Sequence, residues 1–179
     1  KMDPAGWCDI GDVLRQLHLS QSDLEEVVRR NNKRRLELSG GRIRASQGHG
    51  METLPVTREA LEASWAVVNA DDHIWHGTSL ASAQGIALQG IQSLKRTHVH
   101  MARSLQSHVG KRAGVQVMLE VSPVRLRAQG IDVYASPNGV ILTRCVPPDC
   151  IVGIRCLSKK AQAAGPALHA LFGLTSASS

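Results

Sequence analysis

Apolar and polar residues follow two different rhythms along this chain, and the change comes near residue 52. Before it the spacing is mostly helical. Ile10, Val13 and Leu14 fall on one side of a helix predicted over Asp9 to Leu17, because residues three and four apart share a helical face. A second helix is predicted from Ser22, with Glu25 three positions on in the capping-box arrangement and Leu24, Val27 and Val28 as its apolar stripe. Its end is strongly basic, with Arg29, Arg30, Lys33 and Arg34 around Asn31 and Asn32. Arg35-Leu36-Glu37-Leu38 and Arg42-Ile43-Arg44-Ala45 then alternate with period two on either side of Ser39-Gly40-Gly41, which is the pattern of a hairpin.

Two helices followed by a hairpin is the order of a winged helix, whose second helix and wing often touch nucleic acid. A basic helix that is merely solvated fits the same pattern equally well. Residues 53–70 read as a connector, with a helix from Thr57 or Arg58 to Val68. Beyond it the rhythm is short and β-like, with strands expected near Ile74–Thr78, Thr97–Met101, Val115–Val121, Ile131–Ala135, Val140–Thr143 and Cys150–Cys156. Helices are expected near Ser79–Leu88, Ser104–Val109, Ser122–Ala128 and Lys159–Leu171. The fold class is therefore α+β: a small N-terminal unit over residues 1–52, and a β-rich unit over residues 71–179.

Composition narrows the partners. Aromatic residues make up only 3%, so the core must come from Val, Leu, Ile and Ala. A net charge of +6 favours an anionic partner. No apolar run approaches the roughly 18 residues that span a bilayer, and Lys1-Met2-Asp3-Pro4 has no apolar stretch of a secretory signal. The four cysteines form no CxxC pair, so reduced thiols without a metal site are expected in a cytoplasmic, monomeric protein.

Four clusters can carry chemistry. In Arg42-Ile43-Arg44-Ala45-Ser46-Gln47-Gly48-His49-Gly50, alternation sends both guanidiniums from one face, where arginine can hold phosphate oxygens bidentately. An ordinary solvated strand is the plainer alternative. Trp75-His76-Gly77-Thr78-Ser79 sits where a strand meets a helix and can grip an amide or a ribose, or simply cap the helix. In Arg96-Thr97-His98-Val99-His100-Met101 the two histidines share one strand face. Metal is the minority reading there, since no third ligand lies nearby. Gly110-Lys111-Arg112-Ala113-Gly114 can present a cation to phosphate, and Pro137-Asn138-Gly139 turns into an apolar strand.

Taken together and in order, these pieces make the chain similar to the tRNA 2′-phosphotransferase family. The segments are Asp3-Pro4-Ala5-Gly6-Trp7, Arg42 to His49, His76-Gly77-Thr78, Arg96 to His100, Val109 to Gly114, and Asn138 to Thr143, spread over about Asp3 to Cys156. The resemblance implies a winged-helix RNA-binding lobe packed on an ADP-ribosyltransferase-like lobe that holds NAD⁺ as co-substrate. It also implies removal of an internal RNA 2′-phosphate through an ADP-ribosylated RNA intermediate. The products are 2′-hydroxyl RNA, nicotinamide and ADP-ribose 1″,2″-cyclic phosphate. By the same resemblance, Arg44 and Arg112 are catalytic and clamp the transferred phosphate. His76, Gly77, Thr78, Ser79, His100, Asn138, Gly139 and Val140 contact the dinucleotide. Arg30, Lys33, Arg42, Gln47, His49, Arg96 and Lys111 are the expected RNA- and phosphate-binding residues.

The chain also departs from the family pattern. The family carries a Leu-Arg-His element upstream of Gly-Trp, and the sequence begins downstream of that place. A protein without it is expected to complete the first step and stall before the second. Gly50 stands where serine is usual, and Lys111 where a small or apolar residue is usual. Two other readings compete: ADP-ribosylation of a terminal phosphate on RNA or DNA, and a non-catalytic winged-helix nucleic-acid binder.

Overall fold

The computed structural model describes residues 1–179 except 51, 53, 108, 111–113 and 175–179. The first fifty residues form β1 (Cys8–Asp9), α1 (Ile10–Leu17), α2 (Gln21–Arg30), β2 (Leu36–Ser39) and β3 (Arg42–Ala45), with the strands in the antiparallel order β1-β3-β2. Asp9 caps α1 by accepting the Asp12 N–H at 3.0 Å. The capping box of α2 lies two residues earlier than its sequence pattern suggests. Ser20 takes the Asp23 N–H at 3.2 Å, and the Asp23 carboxylate takes the Ser20 N–H at 2.9 Å. Glu25 is instead used within the helix, accepting from Gln21 at 2.9 Å. Only Leu24 of the predicted stripe is buried, while Val27 is 50% exposed.

The hairpin closes through Gly40 and Gly41, whose φ values of 54° and 74° are the pair of positive angles a two-residue turn needs. That turn sets the register Ser39↔Arg42, Leu38↔Ile43, Glu37↔Arg44 and Leu36↔Ala45. The connector helix is shorter than predicted: α3 (Arg58–Glu62), capped by Thr57, gives way to β4 (Ala66–Val67). Leu61 and Trp65 are held in a small core cluster with Val56, Val140 and Leu142, and the chain then extends along a neighbouring strand. Tertiary packing thus overrides helical propensity at this point.

Beyond the connector the order is β5 (Ile74–Thr78), α4 (Leu80–Gln89), β6 (Ile91–Gln92), β7 (Val99–Met101), β8 (Val117–Val121), α5 (Pro123–Ala128), β9 (Tyr134–Ala135), β10 (Ile141–Thr143), β11 (Cys145–Val146), β12 (Ile151–Cys156), α6 (Lys159–Ala163) and α7 (Gly165–Leu171). The strands pair antiparallel as β12-β8-β5, β4-β9-β10-β7 and β11-β6. The single helix expected over Lys159–Leu171 breaks into two at Ala164, and Pro166, which has no N–H to donate, sits in the first turn of the second. No helix forms over 104–107, where the Ser107 hydroxyl closes a turn by accepting the Ser104 N–H at 3.0 Å.

The main core gathers Ile74, Val117, Leu119, Val121, Leu126 and Ile141 with Val99 and Met101. Strand β10 is buried on both faces, sending Ile141 into this core and Leu142 into the smaller cluster. Strand β7 is not: Val99 and Met101 face the core, which turns His100 to the other side. Among the described residues no helix is long and apolar enough to cross a membrane.

Candidate functional site

A cleft of about 780 Å³ opens between the hairpin sheet and the C-terminal strands. One side carries Lys33, Arg35 and Gln47, from the α2–β2 loop and the segment after β3. The other carries His76, Gly77 and Thr78 of β5, the α4 face at Ser82 and Ile86, and the segment 90–96 with Lys95 and Arg96. His98, His100, Asn138 and Val140 also line it. The two sides are stitched together by a Thr97 N–H to His49 carbonyl bond of 3.1 Å and a β-bridge between Gly50 and Arg96.

His76 Nδ1 lies 3.0 Å from the His100 carbonyl oxygen. A carbonyl only accepts, so Nδ1 carries a proton and donates it there. Burial, and then the nearby Arg96, push the His100 pKa down to about 4. His100 is therefore a neutral ring near pH 7, and its buried Nε2 has no partner among the described residues. His98 is wholly buried and bonds Glu62 Oε1 through Nε2 at 2.9 Å. Burial alone would raise the Glu62 pKa, but hydrogen bonds from Arg144 and His98 outweigh it and hold the carboxyl ionised. Burial keeps His98 below its ordinary value despite Glu62, and its Nδ1 is likewise without a partner among the described residues.

The arginines of β3 behave differently from each other. Both leave the same face, as alternation predicts, and both meet the Trp7 ring, Arg44 at 4.5 Å and Arg42 at 5.3 Å from its centroid. Arg42 is exposed and pairs with Asp3 at 2.9 Å. The Arg44 side chain is 3% exposed. It donates Nε and Nη2 to Glu37 at 3.1 and 3.0 Å, and Nη1 to the Ala5 carbonyl and the Ser64 hydroxyl at 3.2 and 2.8 Å. His49 is buried against Gly6, and neither ring nitrogen has a partner among the described residues.

The cleft thus brings together Lys33, Gln47, His76, Gly77, Thr78, Arg96, His100, Asn138 and Val140 from the candidate residues. Arg30, Arg42, Arg44, His49, Ser79 and Gly139 do not line it. Arg30 pairs with Glu26 at 2.6 Å on α2, and Ser79 caps α4. Lys111 and Arg112 lie outside the described residues. Gly77 has no side chain because a Cβ would stand 2.6 Å from Val115 Cγ2, so core packing dictates that glycine. Sequence reasoning missed Arg35, Glu62 and Asn138's engagement with the hairpin side. The Asn138 amide nitrogen donates to the Lys33 carbonyl at 3.0 Å.

The family model described as RNA 2′-phosphotransferase, Tpt1 / KptA family, matches residues 1–145. The chain is 37% identical over 158 residues to a probable RNA 2′-phosphotransferase of Burkholderia lata, covering 83% of this chain and 78% of that one. A protein of the same description from Hahella chejuensis is 33% identical over 156 residues, covering 82% and 80%. Another from Streptomyces coelicolor is 31% identical over 152 residues, covering 81% and 79%.

Proposed function

Because this chain belongs to the RNA 2′-phosphotransferase, Tpt1 / KptA family, we propose that it removes an internal 2′-phosphate from RNA and passes it to NAD⁺. The products would be 2′-hydroxyl RNA, nicotinamide and ADP-ribose 1″,2″-cyclic phosphate. In this reading the first fifty residues serve as a winged-helix RNA-binding unit, and the β-rich remainder as an ADP-ribosyltransferase-type unit. One observation carries the proposal: a single cleft is lined by Lys33 and Arg35 on one side and by His76, Thr78 and His100 on the other. Cations suit the phosphates of a nucleic-acid strand, and the neutral ring of His100 suits a ribose hydroxyl.

The residues present fit a dinucleotide. A volume of about 780 Å³ lies within the range of small-molecule sites, roughly 300–1,000 Å³. The orphaned Nε2 of His100 is a buried polar atom that a ligand hydroxyl would satisfy, relieving a desolvation cost of roughly 1–3 kcal/mol. When bound, NAD⁺ supplies an anomeric carbon with nicotinamide as its leaving group. The protein's part is positioning. His76 and His100 would hold the nicotinamide-ribose half while Lys33, Arg35 and Arg96 align the phosphate that attacks it. Charge that develops on phosphorus in the transfer is met by those same cations.

The test is mass spectrometry of the products formed from NAD⁺ and a 2′-phosphorylated oligonucleotide. Cyclic phosphorylated ADP-ribose and 2′-hydroxyl RNA are expected from a protein that carries the upstream Leu-Arg-His element, and ADP-ribosylated RNA that keeps its 2′-phosphate from one that lacks it. A stable ADP-ribosyl cap on a 5′-phosphorylated strand, with no loss of 2′-phosphate, would overturn the proposal.

A further inference from the structure

The α2–β2 loop is tied down with unusual completeness. The carbonyls of Lys33, Arg34 and Arg35 are each taken by a donor: Asn138 Nδ2 at 3.0 Å, Ser46 Oγ at 3.2 Å and Ser46 N–H at 2.8 Å. Arg34 adopts a left-handed backbone with φ 46°, strained for a side chain of its size. Its N–H closes on the Asn31 carbonyl at 2.8 Å, and the Arg35 N–H closes on Asn31 Oδ1 at 3.2 Å. The reversal at Arg34 leaves that side chain in solvent while Lys33 and Arg35, its two neighbours, line the cleft.

Two of these three captures come from Ser46, at the end of the same hairpin. The third comes from 105 residues away, on the turn that leads into β10. The Asn138 amide is committed at both ends. The Lys33 carbonyl can only accept, and this fixes which end of the amide is nitrogen, while Oδ1 lies 2.8 Å from the Ser136 hydroxyl. Ser136 is itself buried and also reaches the Val140 carbonyl at 3.1 Å. An amide spent in this way is poorly placed to serve a dinucleotide.

We infer that Asn138 is a positioning residue for the RNA strand: it latches the Lys33–Arg35 loop across the cleft so that both cations face the strand's phosphates. The inference rests on the RNA reading above and deepens it. Substituting Asn138→Asp keeps the size but sets a carboxylate oxygen against the Lys33 carbonyl, which repels the loop. The cations then lose their register with the strand while the dinucleotide wall, built from His76, Thr78 and His100, is untouched.

The experiment uses the full chain and a fluorescent single-stranded oligonucleotide bearing one internal 2′-phosphate. Its affinity is followed by anisotropy at several salt concentrations, and NAD⁺ affinity by calorimetry. Asn138→Asp is expected to weaken the oligonucleotide about tenfold and to flatten the salt dependence. Each phosphate that a cation no longer neutralises takes about 0.7 from the slope of log K against log salt. NAD⁺ affinity is expected to change by less than about twofold. In a Lys33→Ala/Arg35→Ala background, adding Asn138→Asp should do nothing further, because the latch acts only through those side chains.

A large loss of NAD⁺ affinity with oligonucleotide binding intact would overturn the inference, as would weaker oligonucleotide binding at an unchanged salt slope. Amide exchange across residues 31–35 supplies a ligand-free reading. It should quicken in Asn138→Asp and in Asn138→Ala alike, and unchanged exchange in both would remove the latch. A parent chain that ignores the oligonucleotide while exchange still quickens would count against the RNA reading and leave the latch standing.

Discussion

Replacing Arg44 by alanine is expected to cost folding stability before it affects chemistry. Its guanidinium is 3% exposed and spends four bonds on Glu37, Ala5 and Ser64 beneath the Trp7 ring. Removing it strands Glu37, whose side chain is only 19% exposed and whose Oε1 already lacks a partner among the described residues. Breaking a buried pair by deleting one member costs about 3–5 kcal/mol, and the residual exposure of Glu37 argues for the lower end, about 3 kcal/mol. At about 2–4 °C per kcal/mol for a chain of this size, the midpoint of thermal unfolding should fall by about 6–12 °C. Arg44→Lys keeps the charge but loses the planar fork and the ring stacking, and should fall between. Arg44→Met with Glu37→Leu should recover much of the loss, since no charge is left behind. Urea and thermal denaturation followed by circular dichroism read all four proteins. If Arg44→Ala folds within about 0.5 kcal/mol of the parent, a change as small as an ordinary surface substitution, while turnover is lost, the guanidinium is a phosphate ligand and the structural assignment is wrong.

Three further outcomes follow from the same structure. His100 is held at about pKa 4 against an ordinary 6.5, so the folded state resists its protonation. Its contribution is complete above about pH 6.5 and is lost as pH falls towards 4, about 3 kcal/mol in all. His100→Asn should therefore show a shallower stability loss between pH 7 and 4.5 in urea titrations, and an unchanged slope would refute the assignment. Glu62 is held below its ordinary value, so its contribution is present above the usual glutamate range and disappears as pH falls through the lowered value. Glu62→Gln should lower stability at pH 7 and flatten its acid limb, as read by the same titration. Gly110→Ala places a Cβ 2.2 Å from the Met101 carbonyl oxygen at φ 77° and should cost more than about 3 kcal/mol. Gly40→Ala, at φ 54° in open space, should cost only about 1 kcal/mol. Similar melting temperatures for the two would contradict that contrast.

Local order was legible where one rhythm decided the outcome. The period-two runs around Gly40-Gly41 predicted the hairpin, and a two-residue turn there also implies that Glu37 faces Arg44, a pairing readable from register alone. The histidine face of β7 followed from alternation in the same way. What was not legible was long-range. Glu62 meets His98 across 36 residues and Arg144 across 82, and nothing local to any of them marks the contact. The same holds for the burial of Arg44: its spacing put it beside Arg42, but only the placement of Trp7 and Ala5 over the hairpin decides which of the two is sealed in. The connector helix was overextended because helical propensity continues past Glu62, whereas the chain turns to pair with β9.

Charge and neutrality are sorted within the cleft in a way that constrains its ligand. Lys33, Arg35, Lys95 and Arg96 contribute full positive charges to its walls. A protonated His100 among them would add another charge where solvent screening is weak, and burial together with Arg96 prevents it. The neutral ring keeps a lone pair that a protonated ring would lose, so it can accept from a hydroxyl while the surrounding cations take anionic oxygens. A purely anionic ligand would leave His100 Nε2 unsatisfied, and a neutral sugar would leave the cations unused. A ligand carrying ribose hydroxyls a few bonds from phosphate satisfies both, and both substrates of the proposed reaction are of that kind.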